Sequence, residues 1–350
     1  MNKKISRIVF SAAFAAGCVF AHALNAEEMS APHLYMAGDS IMTEYKSDMF
    51  PQYGWGQALK AFMKEPSHLH NFARSGWSAR RFRESGRWED CIASKLKPGD
   101  WAIISFGHND KNKRRNKLPK NDYSTLEEYK AFLAGFVADA RAKGANVAFA
   151  TSIAHSDCFV ETNGVMQVDG GATGLGPYVA AMRETAAELN VPLLDLNKYA
   201  EENLPKMGME AAKSLYMVVK PGEYANYPEG KNDPAHIRDR GAYFYAKGAV
   251  EMACAQGISL ANLFKSPESV PFVPSVAFAT AAHDKSFSAV SPDGLNELRL
   301  DVGEKGMAYS VLRRGKAIVK PTRFYLSVEE LKVRLASGGG FAAHFVPMEK

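Results

Sequence analysis

The sequence predicts an α/β fold in which a parallel β-sheet lies between layers of helices. From residue 33 to about residue 263, short apolar segments alternate with longer segments whose apolar residues recur every three to four positions. Right-handed crossovers between such strands give a three-layer αβα domain whose ligand crevice lies at the carboxyl ends of the strands. The composition agrees, because 350 residues with 46% hydrophobic and 23% charged side chains are typical of a globular protein.

Five strands and three helices can be placed along this region. The candidate strands are 34–37, 69–73, 101–106, 146–151 and 192–195. Between the third and fourth strands, Ser124 and Glu127 have the spacing of a capping box, and Gly144 is a suitable helix end. Segments 178–190 and 239–256 have the same helical periodicity. The order of strands and helices therefore predicts a doubly wound sheet.

The pattern of the sequence changes from alternating strands and helices to a proline-containing segment near residue 266, where we place a domain boundary. A proline-containing segment is followed by alternating runs at 298–302 and 309–312, which are separated by glycines. We therefore expect the main domain to span 27–265. Residues 266–350 are expected to form a linker and a short β-rich appendage.

The first 26 residues have the pattern of a secretory signal peptide. Basic residues precede an apolar segment at 8–16 that is too short to span a bilayer, and residues 21–23 (Ala-His-Ala) form a possible cleavage site. We therefore expect export to the periplasm or the medium. Residues 15–18 resemble a bacterial lipobox without its leading leucine, so a lipid anchor on Cys18 is the less favoured alternative.

Charge and cysteine content exclude several functions. Removing the three basic residues of the signal segment lowers the formal net charge from +5 to +2, which is too small to predict binding to nucleic acid or an anionic membrane. Three cysteines then remain, without the spacing of a metal site. We expect no metal and no cofactor.

Four short motifs follow predicted strands or precede a helix, where this architecture places its active site. Ser40 ends a Gly-Asp-Ser segment after the first strand, and its hydroxyl could act as a nucleophile. Asn109 follows the third strand and could supply an amide donor to an oxyanion. Gly76 follows the second strand, where its bare backbone N–H could approach a ligand. Asp233 precedes His236 by three residues, so its carboxylate could reach the imidazole Nδ1.

Each motif taken alone also has an ordinary structural explanation. The serine could cap a helix, the asparagine and glycine could serve turns, and an Asp-x-x-His segment is more often found at a surface. The four together, in this order, are much less expected by chance.

In this combination the sequence resembles the SGNH (GDSL-type) hydrolases, and among them the rhamnogalacturonan acetylesterases. The Gly-Trp-Gly-Gln segment at 54–57, the run 71–82 and the Gly-His-Asn-Asp segment at 107–110 carry the resemblance, which covers roughly residues 33–260. It implies a flavodoxin-like fold and a serine esterase that removes acetyl groups from pectin. Position by position, the resemblance implies that Ser40 is the nucleophile, His236 is the general base and Asp233 is the carboxylate that orients the imidazole. It also implies that Ser40, Gly76 and Asn109 form the oxyanion hole.

The expected substrate is an acetylated acidic polysaccharide. Two basic runs flank the predicted active-site loops and would suit a polyanion, although a solvated basic face is an equal alternative. The runs are Arg74, Arg80, Arg81, Arg83 and Arg87, and then Lys111, Lys113, Arg114, Arg115 and Lys117. Trp55 and Trp77 could stack on sugar rings, and Trp55 could equally belong to the core. The residues expected to bind substrate are Trp77, Arg80, His108, Arg114 and Arg115.

Several positions near the mouth of the site depart from the family pattern and leave the polysaccharide open. Ser75 and Trp77 stand where a glycine and an arginine are usual, Ile41 replaces a common threonine, and His155 or Ser156 replaces an arginine. Acetylated xylan is the alternative substrate. An inactive carbohydrate-binding protein is the alternative from another class, although the intact catalytic motifs argue against it.

The tail carries a second resemblance. Residues 290–321 look like the opening strands of the N-terminal β-sandwich of glycoside hydrolase family 97, and the likeness fades after about residue 326. Only the beginning of such a domain would fit before residue 350. None of that family's catalytic residues could be present.

Overall fold

The computed structural model describes most of the two regions predicted from the sequence. The described residues are 31–111, 122–275, 285–291, 294–303, 306–324, 334–336 and 340–342. The expected signal segment with Cys18, and the two arginines Arg114 and Arg115, lie outside them. Within these ranges, none of the helices is both long and apolar enough to cross a bilayer.

A five-stranded parallel sheet forms the centre of the molecule and confirms the predicted fold class. Its strands are β1 (Leu34–Gly38), β2 (Leu69–Asn71), β3 (Trp101–Ser105), β4 (Asn146–Ala150) and β7 (Leu193–Leu194), in the spatial order β2-β1-β3-β4-β7. The fifth strand is shorter than predicted at both ends. Pro192 has no N–H to donate, and the carboxylate of Asp195 accepts from the backbone N–H of Lys198 to cap the next helix.

Helices cover both faces of the sheet and divide the core into two halves. They are α1 (Trp55–Phe62), α2 (Ala79–Glu84), α3 (Leu126–Ala142), α4 (Gly176–Glu188), α5 (Leu196–Asn203), α6 (Met209–Lys213) and α7 (Asp239–Ala255). In β1, Leu34 and Met36 pack with α1 and α7, whereas Tyr35 and Ala37 pack with α2, α3 and α4. This alternation follows from the period of two in a strand. Trp55 is fully buried with α7, so it belongs to the core.

Helix α3 begins one residue later than the sequence pattern suggested. Thr125 and Glu128, rather than Ser124 and Glu127, form the capping box. Ser124 serves a loop instead: its N–H donates to the carbonyl of Asp110, and its own carbonyl accepts from the hydroxyl of Tyr178. The Ser124 hydroxyl is directed to Asp110 Oδ1 at 3.4 Å and makes no capping hydrogen bond to the helix. The prediction was therefore wrong by one position.

Smaller antiparallel sheets complete the described structure. β5 (Phe159–Thr162) pairs with β6 (Val165–Val168), and β8 (Tyr216–Val219) pairs with β9 (Lys231–Ile237). In the tail, β10 (Lys285–Val290), β11 (Asn296–Gly303), β12 (Gly306–Arg313) and β13 (Lys316–Phe324) form a four-stranded meander, and β14 (Arg334–Ala336) pairs with β15 (Gly340–Ala342). The two strands predicted near 298–302 and 309–312 are confirmed as β11 and β12.

Residues just beyond 266 pack on helix α7. The hydroxyl of Tyr243 donates to the carbonyl of Val270 at 2.6 Å, and the ring of Tyr243 meets Phe272 edge-on. The backbone N–H and hydroxyl of Ser275 both donate to Asp239. The domain boundary near 266 stays a prediction.

Candidate active site

The loops that follow β1 and β3 leave the sheet side by side. β1 lies between β2 and β3, so the chain crosses to opposite sides of β1, and the crevice of a doubly wound sheet forms at this reversal. The register pairs Gly38 with Ser105 at the carboxyl ends of the two strands. The loops that carry Ser40 and Asn109 therefore emerge next to each other.

Ser40 lies in a single helical turn at the end of β1. The N–H of Thr43 donates to the carbonyl of Asp39 at 3.1 Å, which closes the turn, and Ser40 is 7% exposed. The hydroxyl of Tyr45 donates to the carbonyl of Ser40 at 2.9 Å. Tyr45 also exchanges two hydrogen bonds with the side chain of Gln57, which holds the chain outside a helix. The helix expected directly after the serine is thus only one turn.

Asn109 and Asp110 tie the loop after β3 to the loop after β2. The Asn109 amide Nδ2 donates to the carbonyl of Trp77 at 3.0 Å, and Asp110 Oδ1 accepts from the backbone N–H of Ala79 at 3.0 Å. A primary amide has two N–H donors, so Asn109 keeps a second one for a ligand. Gly107, which starts this loop, has φ of 143°, a conformation that L side chains rarely adopt.

Gly76 occupies a turn that is anchored to the end of β1. The N–H of Arg74 donates to the carbonyl of Gly38 at 2.9 Å, and the N–H of Trp77 donates to the carbonyl of Arg74 at 3.2 Å. Gly76 lies inside this turn with φ of 77°, which favours glycine. The turn therefore places the Gly76 backbone beside the Ser40 loop.

Asp233 and His236 form a hydrogen-bonded pair. His236 Nδ1 lies 2.8 Å from Asp233 Oδ2, and the backbone N–H groups of Ala235 and His236 donate to Asp233 Oδ1 at 3.2 and 3.1 Å. Burial raises the pKa of Asp233, but the hydrogen bond and charge of His236 and the nearby Lys231 outweigh it and hold that pKa well below its usual range. The carboxylate is therefore ionised and fixes the orientation of the imidazole.

This pair belongs to strand β9 of the small antiparallel ribbon that β8 and β9 form, and it lies just before helix α7, as the sequence predicted. Two contacts hold the ribbon against the crevice: the N–H of Tyr53 donates to the carbonyl of Ile237 at 3.0 Å, and the hydroxyl of Ser156 donates to the carbonyl of Pro234 at 3.3 Å. A pairing between residues so far apart in the chain leaves no local sequence signal.

Asp39, which precedes Ser40, interacts electrostatically with the His236 imidazole. Burial raises the pKa of Asp39 to about 6, while the N–H of Ile41, then His236 and His108, lower it. Among the described residues, no hydrogen bond joins Ser40 Oγ to His236. Burial also raises the pKa of Asp110 to about 8, and its Oδ2 has no hydrogen-bond partner within the described part of the chain.

A second histidine pair lies at the same edge of the sheet. His108 Nδ1 and His155 Nε2 are 3.1 Å apart, and the two rings stack with centroids 5.2 Å apart. Burial, with nearby positive charge, lowers the pKa of His155 to about 4 and that of His108 well below its usual value, so both imidazoles are neutral near pH 7. The Nε2 of His108 is buried without a partner among the residues described here.

Comparison with known proteins identifies the family. Residues 36–215, half of the chain, match the model of the GDSL-like lipase/acylhydrolase family. The chain belongs to this family. It is a carboxylic ester hydrolase.

Relatives from Bacillus subtilis (strain 168) show which members of the family the chain resembles. The GDSL-family esterase is 34% identical over 235 residues to the rhamnogalacturonan acetylesterase RhgT, which covers 67% of this chain and 95% of RhgT. It is 35% identical over 217 residues to the probable rhamnogalacturonan acetylesterase YesY, with 62% of this chain and 90% of YesY covered. The crystal structure of YxiM from Bacillus subtilis aligns with a TM-score of 0.53 at 27% identity, over 65% of this chain and 57% of YxiM.

Trp77 organises the basic rim of the esterase beside the Gly76 turn. Its half-buried ring has the guanidinium carbons of Arg81, Arg74 and Arg87 at 4.6, 5.0 and 5.8 Å from the ring centroid. Cation–π contact of this kind fixes long arginine side chains near one another. Trp77 therefore supports an array of positive charge next to the candidate oxyanion site.

The other arginines that were predicted to bind substrate differ in what the structure shows of them. Arg80 forms ion pairs with Glu128 at 2.5 Å and with Glu84 at 3.4 Å, on helices α3 and α2, so much of its charge is neutralised. Arg114 and Arg115 lie outside the described residues. The substrate-binding roles of all three stay predictions. Within the described ranges, no cluster of three or more His, Cys, Asp or Glu side chains could hold a metal ion.

Sequence reasoning gave little weight to three residues at this edge. Tyr45 supports the serine loop, and no pattern in the sequence singled it out. His155 was noted only as a replacement for an arginine, although its place after β4 puts it at the same sheet edge. Lys111 was counted only as one member of a basic run, although it directly follows the Gly-His-Asn-Asp motif.

Proposed function

We propose that this esterase removes acetyl groups from rhamnogalacturonan or related pectin. The observation that carries the proposal is the Asp233–His236 pair, which the ribbon holds beside the loops of Ser40 and Asn109. The similarity to RhgT across nearly all of that relative's length supports acetyl esters of this polymer as the substrate.

In the proposed acylation step, Ser40 Oγ attacks the acetyl carbonyl carbon. His236 Nε2 accepts the hydroxyl proton while Asp233 stabilises the imidazolium through Nδ1. Because no hydrogen bond joins Ser40 Oγ to His236 among the described residues, the two side chains must be brought into hydrogen-bond contact when substrate binds. The tetrahedral intermediate then collapses, and His236 returns the proton to the departing sugar oxygen.

Three donors would stabilise the oxyanion of that intermediate. They are the backbone N–H groups of Ser40 and Gly76 and the second N–H of the Asn109 amide. The bond from Asn109 to the carbonyl of Trp77 holds the amide in place before substrate arrives, so little reorganisation is needed during the reaction.

Deacylation would use the same groups in reverse. A water molecule attacks the acetyl-serine carbonyl, His236 takes one proton from it, and the Ser40 oxygen leaves with that proton. The products are acetate and free enzyme. Neither step needs a metal or cofactor.

The basic rim supports an acidic polymer over a neutral one. Arg74, Arg81 and Arg87 lie together around Trp77. Arg81 is partly neutralised by Asp122 at 3.6 Å, so Arg74 and Arg87 supply most of the positive field that attracts galacturonate carboxylates. Acetylated xylan is neutral in its backbone and remains the alternative substrate. A carbohydrate-binding protein without turnover is the alternative of a different class.

Acetate release from acetylated rhamnogalacturonan and from acetylated xylan tests the proposal, with the Ser40→Ala protein as blank. The exposed Ser94 makes a matched control, since Ser94→Ala removes a hydroxyl far from the crevice. Release mainly from the pectic polymer supports the proposal. Release mainly from xylan would contradict the proposal and make acetylated xylan the substrate. No release from either polymer would favour a carbohydrate-binding function without turnover.

Export and the tail also belong to this proposal. We expect residues 1–26 to be removed, which the mass of the mature protein would show, and labelled fatty acid on Cys18 would replace soluble export with a lipid anchor. The resemblance of the tail to the start of the family 97 sandwich stays a prediction.

A further inference from the structure

Lys111 places an ammonium group at the active-site edge of the sheet with only neutral partners. Its Nζ donates to the carbonyl of Thr173 at 2.7 Å and to the Thr173 hydroxyl at 3.1 Å. An ammonium has three N–H donors, so one remains for a further acceptor. The side chain is half-buried, and burial lowers the pKa of this ammonium.

No carboxylate in the described part of the chain lies within ion-pair distance of Lys111. Three other partly buried cations of the described chain do have one. Arg183 Nε lies 2.8 Å from Asp195, Arg238 pairs with Glu223 at 2.6 Å, and Lys231 lies 3.5 Å from Asp233. Partial burial of a charge is costly unless an opposite charge approaches it. The carboxylate of Asp157 acts on Lys111 electrostatically but forms no ion pair with it. Lys111 therefore offers a partly desolvated positive charge that no direct ion pair in the described part of the chain neutralises.

The position of Lys111 connects this charge to the reaction centre. It follows Asn109 by two residues, and its backbone N–H donates to the carbonyl of Gly107 at 3.2 Å, so it is part of the same turn. Burial is the main cause that lowers the pKa of His155 and of His108, and the positive charge of Lys111 lowers both further. Both imidazoles also interact electrostatically with His236. The ammonium therefore lies close enough to the histidine pair to interact with it electrostatically.

We propose that Lys111 is a specificity-determining residue whose ammonium binds the carboxylate of the uronate sugar that carries the acetyl ester. The inference rests on the proposed function and names the feature of the substrate that this site recognises. An incoming carboxylate would accept the third N–H and supply the missing counter-charge. Such a charge-assisted hydrogen bond in a partly dry site is stronger than one at an open surface.

This assignment also explains how the site would distinguish pectin from xylan. A xylose ring has no carboxylate, so binding it would leave the Lys111 charge unpaired in the closed complex. A galacturonate ring carries the carboxylate at a fixed place relative to its acetylated hydroxyl. Lys111 would therefore select the sugar and also orient the ester toward Ser40.

The test compares two forms of one substrate. Acetylated galacturonate oligosaccharides are assayed beside the same material with its carboxyl groups reduced to primary alcohols, and the readout is the ratio of the two kcat/KM values. We expect Lys111→Met to lower this ratio about 10- to 100-fold. Lys111→Arg should recover part of it. Lys130→Met is the matched control and should leave the ratio unchanged, because the half-buried Lys130 on α3 already pairs with Glu184.

The outcomes separate this inference from the proposed function. An unchanged ratio in Lys111→Met overturns it, and so does an equal loss on both substrates, which would mean that Lys111 only supports the turn through Thr173. If the wild-type protein releases no acetate from either oligosaccharide, the proposed function fails as well. A lower ratio with normal wild-type release supports both.

Discussion

Two hydrogen-bonded histidine pairs lie toward opposite ends of the strands of the same parallel sheet, which we call the amino edge and the carboxyl edge. Near the amino edge, His33 Nδ1 and His70 Nε2 are 2.8 Å apart, and the rings stack at 5.1 Å. At the carboxyl edge, His108 and His155 make the same arrangement, with 3.1 Å between nitrogens and 5.2 Å between rings. Burial lowers the pKa of all four imidazoles.

The neighbours of the two pairs differ. The amino-edge pair joins β1 to β2, and its surroundings are structural: the N–H of His33 donates to Asp100, and His68 stacks on His33. The carboxyl-edge pair interacts electrostatically with both the Lys111 ammonium and His236. Histidine chemistry alone therefore does not identify a site. The position at the carboxyl ends of parallel strands, where several loops converge, makes the difference.

The largest effect should come from the reacting groups of the carboxyl edge. Ser40→Ala or His236→Ala should lower kcat by at least about 10³-fold, because each removes a member of the catalytic triad. At the amino edge, His70→Gln should leave kcat within about twofold, since no chemistry occurs there. Acetate release by the purified, folded variants measures both. A large loss in His70→Gln would break the comparison.

Removing an amide at each edge should give the next largest difference. Asn109→Ala should lower kcat about 100-fold or more if the amide stabilises the oxyanion. Asn146→Ala is the matched change at the start of β4, where the amide contacts the carbonyls of Gly99 and Asp100. It should reduce stability but not kcat. A change confined to KM in Asn109→Ala would instead give that residue a binding role.

The stability of the protein should depend on pH through both pairs, more strongly at the carboxyl edge. Below pH 6.5 the unfolded chain binds protons that the folded imidazoles exclude, so the free energy of unfolding falls as the pH is lowered. With a folded-state pKa of about 4, His155 alone should account for about 2–3 kcal/mol between pH 7 and pH 4.5.

Urea denaturation of His155→Gln and His70→Gln at the same two values, pH 7 and pH 4.5, measures this difference in pH-dependent stability between the two pairs. The pH-dependent loss of stability should shrink clearly in His155→Gln and less in His70→Gln, whose imidazole is more exposed to water. Equal pH dependence in both variants would show that the edges do not differ in burial.

The smallest expected effect concerns the basic run of sequence that follows Lys111. Reversing the charge of Arg114 and Arg115 to Glu should weaken turnover of the acidic polymer a few-fold at low salt and less at high salt, because exposed charges are screened. A neutral acetate ester should be affected less than the polymer at every salt concentration. Equal loss on both substrates would point to misfolding rather than to altered attraction.

The sequence was informative where a single segment determines the geometry. The order of apolar runs identified all five central strands, and the motifs after β1, β2 and β3 lie at one sheet edge because parallel strands all end there. The Asp233–His236 contact also follows from local spacing, since three residues suffice for one turn.

What the sequence did not show depends on contacts between distant segments. The hydroxyl of Ser156 holds the β9 ribbon through the carbonyl of Pro234, and Arg80 is drawn to Glu128 on another helix. The cap of α3 moved to Thr125 because Ser124 contacts Asp110 and Tyr178. None of these pairings has a signature within one segment, so they become visible only in the folded chain.

The central claim is that Ser40 is the reactive nucleophile of a crevice completed by His236. Incubation with a serine-directed organophosphate, followed by mass spectrometry of the digested protein, tests this directly. We predict one phosphoryl adduct per chain, located on Ser40, in step with loss of esterase activity, and a much slower reaction in His236→Ala. An adduct on another residue, or full activity after Ser40 is labelled, would contradict the account.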